Sequence, residues 1–345
     1  MLALGVTLVV VATASIARPA PKPKGGRMLG IAVNENPRVN FDTAFQAAKR
    51  TGFDMVSLPI AWDSIETSPG KYAADPNYLA IANLFYPASG VRVALELNPI
   101  DTNNLRLPND LQQKSFADPL VVQRFKLLLD YVFAQLPALH LVALTIGNEV
   151  DGYLHTPGLR TSYIHFLQQV IPYAKSKRGG LQVGVKSMFA GVTGTGRHWL
   201  KRLNSTTDVI MVTYYPFAED FSVAAPDVVA RDLRDLVAIY PSKPIYLSEI
   251  GYPSGSRVGS SETLQARFIR SAFRAWDQHA DRIKLMEFTW LHDQSPAAIE
   301  YFQRYYGISD PRFVEFLSTL GLRRYDGTDK PAFRELIRQA KQRGW

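Results

Sequence analysis

Eight short, β-rich apolar runs recur along this chain, at Met28–Val33, Asp54–Ile60, Val91–Leu97, Leu141–Ile146, Leu181–Val185, Val209–Thr213, Ile245–Ser248 and Lys284–Thr289. Longer stretches with apolar residues near a 3.6-residue period separate them, among them Phe41–Arg50, Leu120–Gln135, Ser162–Ser176, Asp227–Ile239 and Glu262–His279. A strand, a helix and a further strand return the chain to the same end of a sheet, so the alternation predicts parallel strands joined by right-handed crossovers. Eight repeats favour a closed sheet over an open, doubly wound one. The expected fold is therefore α/β, a (β/α)8 TIM barrel, for which about 250 residues suffice. Asp42 and Asp118-Pro119 read as helix starts, and Gly52 and Gly90 as stops. Nothing in residues 28–345 marks a second composition regime, a linker or an internal repeat, so they read as one domain.

The first 27 residues follow different rules. Leu2 to Ile16 is almost wholly apolar or small, Ser15-Ile16-Ala17 places small residues at the −3 and −1 positions of a candidate cleavage site, and Arg18 to Pro23 is proline-rich. Residues 1–17 are expected to be a signal peptide or an N-terminal anchor, and residues 18–27 a Pro/Lys-rich linker. The barrel is then expected outside the cytoplasm, secreted or periplasmic, with that anchor as its sole contact with a membrane.

Composition removes several chemistries. There are no cysteines, which excludes disulfides, thiolate nucleophiles and cysteine metal sites. The net charge of +8 comes from Lys and Arg scattered along the chain, apart from short groups such as Lys175-Ser176-Lys177-Arg178, so it reads as a solvated surface and not a nucleic-acid site. The six histidines form neither a His-x-His pair on the first strand nor a His-Glu-x-x-His motif, and no metal is expected. Gly191–Gly196 contains three glycines, but no Lys-Ser/Thr follows. That stretch reads as a flexible loop after strand five, with no nucleotide and no other cofactor implied.

A barrel carries its chemistry at the C-terminal ends of its strands. Ile146-Gly147-Asn148-Glu149 follows the fourth run, Thr213-Tyr214-Tyr215-Pro216 the sixth, Ser248-Glu249-Ile250-Gly251-Tyr252-Pro253 the seventh, and the eighth ends in Thr289-Trp290. Two glutamates ending two strands that lie nearly opposite one another is what glycosidic cleavage requires. One carboxylic acid protonates the leaving oxygen while a second carboxylate attacks the anomeric carbon, the two about 5–5.5 Å apart in retaining enzymes.

Gly147-Asn148-Glu149 together with Glu249-Ile250-Gly251-Tyr252-Pro253 resembles the clan of retaining (β/α)8 glycosidases that carry both catalytic glutamates on strands four and seven. Trp62-Asp63-Ser64-Ile65-Glu66 through Pro69-Gly70-Lys71-Tyr72 is similar to that clan's loop after strand two, and Gly321-Leu322…Asp326-Gly327…Lys330-Pro331-Ala332 to its final strand-to-helix passage. Tyr214-Tyr215-Pro216 with Glu249…Tyr252-Pro253 most resembles the endo-β-1,4-galactanase branch. The resemblance implies Glu149 as acid/base, Glu249 as nucleophile and Asn148 as the partner of the sugar 2-hydroxyl, acting on an oligosaccharide or polysaccharide.

It also implies that Tyr215, sharing a strand face with Thr213, donates to the nucleophile, with Tyr214 the substitute if the register is shifted by one. Trp290 is expected as a sugar platform, Trp62 and Tyr252 as weaker aromatic contacts, and Glu96 and Asn98 as partners of distal hydroxyls. Glu66 and Asp101 read as loop residues. Two positions depart from the clan. Ser57 stands where many members carry a strand-two arginine that supports the nucleophile, and Asn98 where several carry a strand-three histidine. The absent arginine leaves a rival reading open, a barrel at the cell surface that binds glycan without cleaving it. A transglycosylase lies between the two.

Overall fold

The computed structural model describes residues 20–345; the expected signal peptide or anchor at 1–17 lies outside the described residues. Ten strands form one sheet: β1 (Met28–Ile31), β2 (Met55–Ala61), β3 (Arg92–Asp101), β4 (Asn104–Leu105), β5 (Leu141–Asn148), β6 (Val183–Gly184), β7 (Lys186–Met188), β8 (Ile210–Tyr214), β9 (Ile245–Ile250) and β10 (Ile283–Phe288). Their order is β6-β5-β3-β2-β1-β10-β9-β8-β7, with β4 hairpinned onto β3. Because β6 and β7 are one strand interrupted at Val185, pairing with β5 on one side and β8 on the other closes the ring. All eight barrel strands pair in parallel, as in a (β/α)8 barrel of one domain.

Alternation sorts each strand into two faces. Outward residues such as Leu29, Val93, Leu95, Leu144, Val212 and Leu247 join the apolar layer beneath the surrounding helices. Inward residues stack in layers. The lowest is apolar, with Met28, Met55, Ala94, Ala143, Met211, Tyr246 and Leu285 packed together. Two residues further along the same strands the interior turns ionic, at Ser57, Glu96 and Glu287, and Lys186 joins them there. Gly30 makes room for this layer, since a Cβ on it would stand 2.3 Å from Met55 Sδ and 2.8 Å from the Glu287 Cβ.

Helix ends follow from side-chain caps. Asn40 accepts from Thr43 N ahead of Phe41–Lys49, so the start lies just before Asp42, and Asp118 accepts from Leu120 N ahead of Pro119–Gln135. Thr156 caps Pro157–Lys177, a helix five residues longer at its start than its periodicity suggests. Gly52 and Gly90 do stop helices, with φ of 73° and 69°. Gly191–Gly196, expected as a flexible loop, is helical up to Thr193, where the short helix Phe189–Thr193 ends, and then turns into the helix Arg197–Asn204. Glycine is needed at 191 because a Cβ there would meet Asp151 Oδ2 at 2.0 Å.

The end of the Pro/Lys-rich stretch is tied to the foot of the barrel. Arg27 is buried and pairs with Asp277 at 2.9 Å, and Arg343 grips the same carboxylate at 2.6 Å. Between β10 and the last helix, Pro331–Lys341, two further helices, Pro296–Tyr306 and Pro311–Thr319, fold over the mouth and enclose a small apolar cluster around Phe313, Phe316 and Leu320.

Candidate active site

Glu149 and Glu249 line one cavity of about 540 Å³ at the C-terminal mouth of the barrel. Each is aimed there by an irregularity in its strand. At the end of β5, Gly147 has φ 88° and Glu149 itself is left-handed, with φ 43° and ψ 45°. A non-glycine residue held there stores backbone strain of roughly 1–3 kcal/mol, a feature concentrated at functional sites. On β9 the pairing with β8 slips from Val212↔Leu247 to Thr213↔Glu249, leaving Ser248 as an extra residue. Without that bulge, the inward phase of Tyr246 and Ser248 would turn Glu249 outward.

The two carboxylates have contrasting partners. Glu249 Oε1 lies 3.0 Å from Lys186 Nζ, and its Oε2 accepts from Tyr215 OH at 2.6 Å. Glu149 Oε1 accepts from Thr213 Oγ1 at 2.6 Å and its Oε2 from Thr102 Oγ1 at 2.9 Å, and no cation among the described residues pairs with it. Desolvation, then the negative charge of Glu249, push the Glu149 carboxyl up to about 7, while the two hydroxyls work in the opposite direction. A group tuned so is protonated at neutral pH in a large fraction of molecules, as a general acid must be.

Beneath Glu249 lies a buried ionic floor. Lys186 Nζ is 2.6 Å from Glu96 Oε1, so one ammonium bridges Glu96 and Glu249. Burial alone would lower the lysine, but the charges of Glu249 and Glu96 outweigh it and hold the ammonium above its usual range. Glu96 is raised by burial, against the pull of Lys186 and with a further push from Glu249. Glu287 accepts from Ser57 N at 2.9 Å and Ser57 Oγ at 2.5 Å, and burial lifts it to about 8. The strand-two arginine expected from the resemblance is thus absent, but a cation reaches Glu249 from β7 instead.

Asn148 is held in a second network. Its Nδ2 donates to Asp101 Oδ1 at 2.8 Å, while its Oδ1 is buried without a partner. Asp101 also accepts from Tyr305 OH at 2.6 Å, and Arg106 Nη1 donates to that phenol at 3.0 Å. Asp101 is therefore no idle loop residue. It ends β3 and ties Asn148 to the helix Pro296–Tyr306 over the mouth.

Of the other expected site residues, Glu96, Asn98, Tyr215 and Trp290 line the cavity, with Trp290 stacked on Phe302 at 5.6 Å and an interplanar angle of 17°. Three do not. Tyr214 follows inward Thr213 and so faces out of the barrel, where its hydroxyl donates to Asp232 at 2.8 Å. Trp62 opens the short helix Trp62–Ile65 and is fully buried against Phe125, its Nε1 donating to Glu66. Glu66 in turn pairs with Arg124 at 2.6 Å, a structural ion pair. Tyr252 lies past the end of β9, stacks on Phe268 at 4.9 Å and donates to Ala224 O. In each case the aromatic ring serves the packing behind the strands and not the mouth.

Sequence reading missed Lys186, Glu287, Thr102 and the anchoring role of Asp101. The signal for Lys186 was a charged residue one step beyond the apolar run Leu181–Val185, on a strand that continues to Met188. Glu287 lay inside the eighth run in phase with Leu285 and Thr289, hence inward. Asp293, past the end of β10, pairs with Lys330 at 2.7 Å and does not line the cavity. Among the described residues no cluster of three or more His, Cys, Asp or Glu is arranged to hold a metal ion.

Solved structures of the same architecture come from several kinds of glycosidase. An exo-β-1,4-mannosidase from Opitutaceae bacterium strain TAV5 is 17% identical, with a TM-score of 0.68 over 93% of this chain and 60% of that one. The chain thus spans about three-fifths of that enzyme's length. A GH5_18 protein from Streptomyces cattleya, in complex with Manβ1-4GlcNAc, is 16% identical over 92% of this chain and 80% of that one, with a TM-score of 0.69. Xylanase 10B from Thermotoga maritima is 12% identical over 92% and 96%, with a TM-score of 0.64. At these identities the likeness shows the fold. That fold, a (β/α)8 barrel, is shared by glycosidases of several families and is not specific to the galactanase branch. No protein-family model matches the chain, and no curated protein matches it.

Proposed function

We propose that the protein is a retaining glycoside hydrolase acting on a β-linked glycan, with Glu149 as acid/base and Glu249 as nucleophile. The observation that carries this reading is the unequal treatment of two carboxylates in one cavity. One receives an ammonium and a phenol; the other receives only neutral hydroxyls and is raised to about 7. A carboxyl raised by burial and a neighbouring charge is suited to give a proton near neutral pH.

In the first step a Glu249 oxygen attacks the anomeric carbon, the glycosidic C–O bond breaks, and its electron pair leaves on the departing oxygen, which takes the Glu149 proton. In the second, Glu149 as carboxylate removes a proton from water, whose oxygen displaces Glu249 from the glycosyl ester. Lys186 and Tyr215 hold the attacking carboxylate in place through one charge-assisted contact on each oxygen. Trp290 offers a ring face to the sugar at the mouth.

The non-catalytic reading rested on the missing strand-two arginine, and the Lys186–Glu249 contact removes that support. The finer likeness to the galactanase branch places β-1,4-galactan in the test panel without preferring it. Reducing-sugar release from β-glucans, galactans, mannans and xylans, compared with Glu249→Ala, tests the proposal. Trapping with 2-deoxy-2-fluoro glycosides should leave a mass adduct on Glu249; an active enzyme whose products show inverted anomeric configuration would refute retention. We also propose that residues 1–17 export or anchor the barrel, which N-terminal sequencing of the mature protein from cell fractions would check. Among the described residues no helix is long and apolar enough to cross a membrane.

A further inference from the structure

A second cavity, of about 480 Å³, opens beside the first. It shares Glu149, Met188, Tyr215 and Phe217 with the catalytic cavity but is not lined by Glu249. This asymmetry locates it along the reaction. The acid delivers its proton to the leaving oxygen, so the leaving group lies on the acid's side of the scissile bond while the glycone stays over the nucleophile. The cavity that has the acid and lacks the nucleophile is the one a leaving group would enter.

Its walls do not suit a sugar. The lining is mostly apolar, and Phe189, Ala190, Pro216, Ala218, Val223 and Val228 all belong to it. Apart from Arg231, which is exposed at the rim and spends Nε and Nη2 on Asp232, the polar side chains in the lining are engaged within the protein. Thr193 Oγ1 donates to Phe189 O at 2.8 Å, Thr213 to Glu149, Tyr215 to Glu249 and Ser222 to Asp220. Asp232 accepts from Tyr214 and from Arg231. A sugar leaving group would bring several hydroxyls against a wall that offers them few partners, and each one buried without a partner costs about 1–3 kcal/mol. An apolar group would lose nothing and gain by leaving water.

We infer that the leaving group is an apolar alcohol, aryl or alkyl, and not a second sugar, so that the glycan of the proposed function is the part held over Glu249 and the bond cleaved is the one to its apolar aglycone. The inference rests on the proposed role of Glu149 as acid.

The test is a homologous series of methyl, butyl, hexyl and octyl β-glycosides of glucose, galactose, mannose and xylose, with phenyl glycosides and the matching disaccharides alongside. Alkyl leaving groups differ little in acidity, so the series reads binding. The expected result is a kcat/KM that rises by up to about fourfold per methylene until the cavity is filled. Phenyl against hexyl then tells whether a flat or a flexible group fits better. Cleavage with no dependence on chain length, or disaccharides turned over faster than the hexyl glycoside, overturns the inference and leaves the hydrolase intact. Silence on every glycoside overturns the hydrolase reading and the inference with it. Ala190 is exposed on its short helix, so Ala190→Asp places a charge on the wall without disturbing the core. It should flatten the chain-length slope, as should Val223→Asn; a slope unchanged in both variants also overturns the inference.

Discussion

Two glutamates at the ends of two strands share a cavity and differ in everything around it. Glu249 stands over an ionic floor, where a fully buried lysine is divided between it and Glu96 and a phenol closes on its second oxygen. Glu149 stands opposite with two threonine hydroxyls and the repulsion of its neighbour. The same functional group thereby meets a cation in one place and only hydroxyls in the other, which is the contrast on which the proposed roles rest. What separates them is the placing of one cation, since hydroxyls accept or donate as needed while an ammonium takes sides.

The contrast can be broken in order of severity. Glu249→Ala removes the attacking atom and should lower kcat on every substrate by a factor on the order of 10⁵. Glu149→Ala should spare the first step only for glycosides with very acidic leaving groups, such as dinitrophenyl. The ester should then accumulate, visible as a burst in stopped flow and as added mass on the protein.

Lys186→Met keeps the bulk of the side chain and removes its charge. It should cost roughly 10²–10³ in kcat/KM, the size of effect seen when a preorganised charge-stabilising donor is lost. A sharper form of that test is Lys186→Met with Ser57→Arg. If a strand-five lysine has taken over the work of a strand-two arginine, the double variant should recover activity relative to the single one. Tyr215→Phe removes one hydrogen bond to a charged acceptor and should cost about ten- to a hundredfold, with KM little changed.

The smallest effect is on pH. The alkaline limb of kcat/KM should fall near 7, where Glu149 loses its proton. In NMR titration of Glu249→Gln, the Glu149 carboxyl should move down toward 4.5, because a repelling charge is gone. Stability follows the same sign. A carboxyl raised by folding binds its proton more tightly in the folded state, so its contribution is present below about 4.5 and is lost as pH rises through 7. Glu149→Gln should therefore raise Tm at pH 8 by a few degrees and at pH 5 hardly at all.

Much of the architecture was legible because it depends on period. Eight apolar runs with helical stretches between them leave few topologies, and residues two apart on a strand share a face whatever the strand pairs with. Thr213 and Tyr215 could be placed together on that ground, and Tyr214 behind them. The aromatic rings were less legible. Trp62, Tyr252 and Trp290 all follow strand ends, and only tertiary packing sends the first two behind the barrel and the third to its mouth.

The sequence by itself determined the barrel, the strands that end in carboxylates, and the inward phase of Lys186 and Glu287, since alternation is a property of each strand alone. Tertiary structure decided which inward groups meet. The register slip at Ser248 re-aims Glu249 against its own alternation. The closure of the ring through β6 and β7 brings Lys186, far from it in sequence, to 3.0 Å from its carboxylate. Both depend on hydrogen-bond register between neighbouring strands, a relation between segments that no single segment encodes.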